Sequence, residues 1–253
     1  MFDAHAHLQD IPQEKLPDFI ERISASPVKR IFCNTTLPAD WGTVASIASQ
    51  LRICTPFFGV HPWFIEGLPD DWEHFLEHQM AKKKCGIGEI GLDKARGGVN
   101  FEKQTYVFVR QLDLACMARK TFSLHCVGAW PQLLAVLKKA DLNGLPFILH
   151  GFNGSLETAK ELVKLGGLLS IGPRNMDPGK LDALCSQISI EHFLVETDFS
   201  KTSVSSGVDV DLVEFYLKTL EACYQKLAKA FHMDLAGFSK AIQDNEQYLM
   251  GYV

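Results

Sequence analysis

The stretch Phe2-Asp3-Ala4-His5-Ala6-His7, continued by Leu8-Gln9-Asp10-Ile11-Pro12, separates two α/β folds that otherwise read alike. Its first half has the character of a buried strand. Residues two apart in a strand point to the same side, so His5 and His7 present their imidazoles together, and neutral imidazole is the commonest protein ligand of a divalent metal. Its second half lacks the glycine-rich phosphate loop that a doubly wound nucleotide-binding sheet places after its first strand. Working outward, short apolar runs recur at 30–35, 55–60, 85–89, 121–125, 146–150, 167–172 and 193–197. They are apolar on both faces, as in a buried parallel sheet. Segments 12–25, 40–51, 70–82, 101–118, 130–140, 155–165 and 178–188 carry apolar residues at helical spacing, and two more helices are expected at 211–231 and 234–249. Eight strand–helix units predict an α/β fold of the (β/α)8 TIM-barrel type with extra C-terminal helices. No Ser/Gly/Pro-rich linker or charge block interrupts residues 1–253, so a single domain is expected.

Composition narrows the function classes. The chain is 47% hydrophobic and 22% charged, ordinary for a globular protein. No apolar run reaches the roughly 18 residues of a membrane span, and no secretory signal is visible at the start. The seven cysteines are scattered and lack CxxC spacing. They predict reduced thiols and a cytoplasmic protein. A net charge of −5 argues against a broad nucleic-acid footprint but is compatible with one phosphate held locally. No obligate protein partner is evident.

The metal-competent residues fall at strand ends. His5 and His7 end the first strand, Glu89 the fourth, His125 the fifth and His150 the sixth, and Asp198 follows the eighth. In a barrel all six meet at the C-terminal rim, where barrel enzymes keep their chemistry. Glu89 lies in Gly86-Ile87-Gly88-Glu89-Ile90-Gly91, an apolar setting where an unpaired carboxylate is costly to bury and a cation removes the cost. Four imidazoles and two carboxylates exceed the needs of one ion. They suit two ions about 3.5–4 Å apart, with Glu89 as the bridge, His5, His7 and Asp198 on one ion, and His125 and His150 on the other. An N/O set without thiolate suits Zn, Mn, Ni, Fe(II) or Mg. His74, His78 and His192 lie away from this rim and read as incidental.

Several blocks together resemble a known family. DAHAHL at the start, GVHPW at 59–63, GIGEIGLD at 86–93, SLHC at 123–126, LHGFNGS at 149–155, VETDFS at 195–200 and the tail Asn245–Gly251 are similar to the signatures of the TatD-like metal-dependent deoxyribonucleases of the amidohydrolase-like superfamily. The resemblance implies a TIM barrel that hydrolyses phosphodiesters with a metal-activated water, DNA or another phosphodiester as substrate, the same six residues as ligands, and His61 beside the site. The family's arginine two residues after the strand-five histidine is replaced by Val127, HGFNG stands where HCFSG is usual, and Phe199-Ser200 where proline usually follows. These changes touch the substrate-facing shell and leave the ligands intact.

On this reading Glu89 and Asp198 are the catalytic residues, Asp198 exchanging a proton with the attacking water. Lys94, Arg96, Arg174 and Lys201 fall in expected rim loops and are candidates, with His61, for binding the phosphate. Trp63 and Phe152 are candidates for stacking on a base, although a packed aromatic is the simpler reading of either. Two alternatives stand beside the nuclease: an amidohydrolase-type enzyme cleaving a C–N or ester bond, and a catalytically weakened metal-binding homologue. Glu89 where relatives often carry a carbamylated lysine favours the phosphodiesterase branch.

Overall fold

Eight parallel strands, β1 (Phe2–Ala6), β2 (Arg30–Asn34), β3 (Cys54–Phe58), β4 (Gly86–Asp93), β5 (Phe122–Val127), β6 (Phe147–Leu149), β7 (Gly167–Ile171) and β8 (Phe193–Val195), lie in chain order in one sheet. The computed structural model describes residues 1–82, 84–96, 100–175, 177–200 and 210–253. Helices α1 (Leu16–Ser24), α2 (Pro38–Gln50), α3 (Trp72–Lys82), α4 (Phe101–Ala118), α5 (Trp130–Leu137), α6 (Leu156–Lys164) and α7 (Pro178–Cys185) alternate with the strands, followed by α8 (Leu212–Ala230) and α9 (Leu235–Met250). This is the expected barrel. Side-chain oxygens of Asn100, Ser155, Asp177, Asp211 and Asp234 accept the backbone N–H three residues on and so cap α4, α6, α7, α8 and α9. None of the described helices is long and apolar enough to cross a membrane.

The seam between β1 and β8 is closed mainly beyond the end of β8. The Asp198 N–H donates to the His5 carbonyl at 3.0 Å, and the His7 N–H donates to the Phe199 carbonyl at 2.7 Å. The chain carrying Asp198 is thereby stitched to the strand carrying His5 and His7. At the opposite end α9 covers the barrel floor. Its Asn245 amide donates to the carbonyls of Ile190 and Phe193, both at 2.8 Å, and its Glu246 pairs with Arg30 of β2.

The largest departure from the expected strand extents is in β4. β4 was expected over 85–89, but runs on to Asp93, and its register with β5 shifts between Ile87 and Ile90. Gly91 makes this possible. Its φ is +141°, and a Cβ there would lie 2.0 Å from the carbonyl oxygen of His125. The longer strand sets Glu89 inside the barrel mouth and carries a second acid, Asp93, up to the rim.

Candidate metal centre

Glu89 is the middle of the site. Its side chain is 3% exposed, and its two oxygens face different imidazoles. Oε2 is 3.3 Å from Nε2 of His5 and 3.5 Å from Nε2 of His7. Oε1 is 2.9 Å from Nδ1 of His125, 3.5 Å from Nε2 of His61 and 3.7 Å from Nε2 of His150. Oδ1 of Asp198 lies 3.7 Å from Nε2 of His7. All six sequence-predicted ligands therefore meet, brought together from β1, β4, β5, the end of β6 and the segment after β8. Donor atoms converge within 4.8 Å in three overlapping groups: His5, His7 and Asp198; His5, Glu89 and His150; and His61, Glu89 and His125. The second and third groupings differ from the expected pairing of His125 with His150, whose ring centres are 6.3 Å apart. His150, the residue after the end of β6, instead stacks on His5 at 3.6 Å.

Hydrogen bonds fix which nitrogens face the centre. Nδ1 of His7 lies 2.9 Å from the Asn34 carbonyl, an acceptor only, so Nδ1 carries the proton and Nε2 offers its lone pair. Nδ1 of His61 accepts the Trp63 backbone N–H at 3.1 Å. Neutral His61 therefore keeps its proton on Nε2 and points a donor, not a lone pair, at Glu89.

Two acids that sequence reading left unassigned stand behind the histidines. Asp93 accepts the indole N–H of Trp63 at 2.7 Å and Nε2–H of His125 at 3.0 Å, and its other oxygen takes the backbone N–H groups of Ala95 and Arg96. Glu196 sits 3.0 Å from Nδ1 of His150 and accepts the Gly151 N–H at 2.9 Å. Carboxylates behind metal-facing imidazoles orient the ring and raise its basicity. Both acids were inside the quoted blocks. The signal at 196 was a second acid two residues before Asp198 in the same block.

The charges respond to this arrangement. Burial opposes ionisation of Glu89, yet the surrounding imidazoles outweigh it and hold its carboxyl well below the usual range. Burial likewise works against His150, but Glu196, Glu89 and Asp198 push it up to about 10. His125 is also raised, its desolvation outweighed by hydrogen bonds to Asp93 and Glu89. Burial lowers His5, and lowers His61 well below the ordinary histidine value. Burial thus favours the neutral form of His5 and His61, while the neighbouring acids favour the protonated form of His125 and His150.

Around the rim, Nη1 of Arg174 donates to Asp198 Oδ2 at 2.9 Å, Arg96 lies over the Trp63 ring at 4.5 Å, and Lys94 over Phe101 at 4.6 Å. Lys201 lies outside the described residues. Trp63 is 39% exposed, whereas Phe152 is buried and packs on Trp130 at 5.1 Å, so the packed reading of Phe152 holds. A cavity of about 370 Å³ opens beside the histidines, walled by Val127, Asn153, Arg174, Asn175 and Asp198. Cys126 also borders it, but burial pushes its thiol up to about 12, which leaves it without nucleophilic character near neutrality.

The donor set fits divalent cations. The Nε2 atoms of His5 and His7 lie 3.2 Å apart and both face Glu89 Oε2, a convergence of imidazole nitrogens on one carboxylate oxygen that a shared cation would satisfy. A parallel (β/α)8 barrel with such a histidine–carboxylate centre at its C-terminal rim defines a metal-dependent hydrolase class. The chain belongs to the TatD related DNase family, whose model matches residues 2–251. It is 28% identical over 203 residues to the uncharacterized metal-dependent hydrolase YjjV of Escherichia coli, covering 78% of each chain. It is 24% identical over 216 residues to the human deoxyribonuclease TATDN3, covering 78% of this chain and 77% of that one. Over 151 residues, 57% of each chain, it is 33% identical to the 3'-5' ssDNA/RNA exonuclease TatD of Pectobacterium atrosepticum. The crystal structure of YjjV superposes with a TM-score of 0.85 at 23% identity, covering 98% of this chain and 97% of that one, and shares the barrel.

Proposed function

We propose that this chain is a divalent-metal-dependent phosphodiesterase acting on DNA or a related phosphodiester. The observation that carries the proposal is the two-sided environment of Glu89, with one oxygen among the imidazoles of His5 and His7 and the other among those of His125, His61 and His150. On this reading Glu89 would be shared between two ions. His5, His7 and Asp198 would hold one and His125 the other, with His150 near Glu89 Oε1 on the second side and stacked on His5 of the first, while His61, a donor through Nε2, would not be a ligand. Relatives named as deoxyribonuclease and exonuclease support a nucleic-acid substrate. Free cysteines throughout support a reducing, cytoplasmic setting.

When bound, such ions supply a water of lowered pKa and neutralise charge on a phosphate. The chain's own groups do the rest. Arg174 offers its remaining guanidinium N–H groups to a phosphate oxygen beside Asp198. His61 points Nε2–H at Oε1 of Glu89, 3.5 Å away, and steadies that carboxylate. Asp198, with one oxygen towards His7 and the other towards Arg174, is placed to take and return a proton. Arg96 and Trp63 form a cation–aromatic edge on which a base can stack.

The test is reconstitution of metal-free protein with Mg, Mn, Ni or Zn, followed by assays on single-stranded DNA, a p-nitrophenyl phosphodiester, and amide and lactone panels. Metal-dependent turnover of the phosphodiesters is expected. Turnover confined to amides or lactones, or tight metal uptake with no turnover, would refute it in favour of one of the two alternatives.

A further inference from the structure

We propose that Asp3 is a positioning residue for the metal centre, holding Asp198 against the strand that carries His5 and His7. The inference rests on the metal reading above and concerns a residue that touches neither ion nor substrate. Asp3 is fully buried, and both of its oxygens are engaged. Oδ1 accepts the backbone N–H of His5 at 3.2 Å and of Thr197 at 3.0 Å. Oδ2 accepts the Thr197 hydroxyl at 2.6 Å and the Tyr216 hydroxyl at 2.7 Å. The Thr197 hydroxyl oxygen in turn accepts the Phe199 N–H at 3.1 Å. Asp3 therefore grips the residue before Asp198 directly and the residue after it through one hydroxyl.

That grip has something to hold. Asp198 has φ +49°, a left-handed conformation that costs energy in a residue with a Cβ and persists only where its surroundings enforce it. β8 has already ended at Val195, and beyond it only two backbone hydrogen bonds to β1, Asp198 N–H to His5 and His7 N–H to Phe199, share the hold with Asp3. Release of Thr197 lets Asp198 relax and its carboxylate swing from His7. The His61–Glu89–His125 side, built on β3, β4 and β5, does not depend on this clamp.

The same helix supplies an internal control. Tyr224, two turns beyond Tyr216 on α8, is equally buried and also bonds β1 through its hydroxyl, which accepts the Phe2 N–H at 2.8 Å and donates to the Phe2 carbonyl at 3.0 Å. It lies at the barrel floor, away from the centre. Loss of either hydroxyl weakens the α8–β1 contact, but only the loss at 216 loosens the clamp.

The experiment titrates metal-free wild type, Tyr216→Phe, Tyr224→Phe, Thr197→Val, Thr197→Ser and Asp3→Asn with Co(II). Visible absorption and calorimetry are the readouts, with urea unfolding in parallel. Tyr216→Phe and Thr197→Val are expected to weaken one of two Co(II) equivalents by roughly tenfold or more and to spare the other. Asp3→Asn should do the same more strongly. Thr197→Ser should bind as wild type does, and Tyr224→Phe should lose stability without losing affinity. Wild-type affinity for both equivalents in Tyr216→Phe and Thr197→Val would overturn the inference, as would equal weakening in Tyr224→Phe. Wild-type protein that binds no Co(II) would overturn the metal reading itself, a result distinct from either.

Discussion

Acids push His125 and His150 towards their protonated forms at the place where, on the proposed reading, a cation would sit. Each sits between two carboxylates, Glu89 with Asp93 and Glu89 with Glu196, and each is raised above the ordinary histidine value, His150 to about 10. A raised folded-state pKa contributes stability below the unfolded value of about 6.5, and that contribution is lost as pH climbs towards about 10. The metal-free chain should therefore lose stability over that interval in a chelator. Metal must displace these protons, so binding should release protons and tighten between pH 6 and 8. Calorimetry in two buffers of different ionisation enthalpy reads the release directly, and a buffer-independent heat at pH 7 would contradict it. Arg174, 2.9 Å from Asp198 at the cavity mouth, gives a second expectation at this scale. A charged hydrogen bond to phosphate contributes about 1.5–3 kcal/mol, so Arg174→Ala should raise KM roughly tenfold or more with metal content unchanged. Unaltered kinetics would remove Arg174 from the site.

Among the elements, β4 and the segment after β8 do most to shape the centre, and they differ in how far sequence reveals them. The six ligand candidates were legible because strand ends in a parallel barrel share one rim, so position along the chain translates into place. Glu89 was legible as an acid in an apolar run. Asp93 was not, because the strand was expected to stop at 89 and only the Gly91 conformation carries it on. The grouping of His150 with His5 was hidden for a similar reason, since it depends on where β6 stops and not on residue type. The clamp by Asp3 was out of reach because it joins residues 194 positions apart. Gly91 can be tested directly. A Cβ against the His125 carbonyl oxygen at 2.0 Å forces β4 and β5 apart, so Gly91→Ala should destabilise the protein by about 2 kcal/mol or more. A denaturation curve within 0.5 kcal/mol of wild type would show that the strand pair tolerates a side chain there.

At the scale of the whole molecule, the barrel separates two tasks. The floor, closed by α9 through Asn245 and the Arg30–Glu246 pair, maintains the fold, and the rim concentrates the chemistry. On the proposed reading, the net charge of −5 is reconciled with a phosphate substrate by Arg174 and Arg96 at that rim, together with the cations the centre would hold. Glu89 is the residue through which both sides of the centre connect. The decisive measurement pairs metal stoichiometry with phosphodiester hydrolysis in wild type and Glu89→Ala. The wild type should hold two equivalents of metal and turn over, while the variant should lose at least one equivalent and all detectable hydrolysis yet keep its fold. A Glu89→Ala protein that binds two metals and remains fully active would contradict the bridged centre.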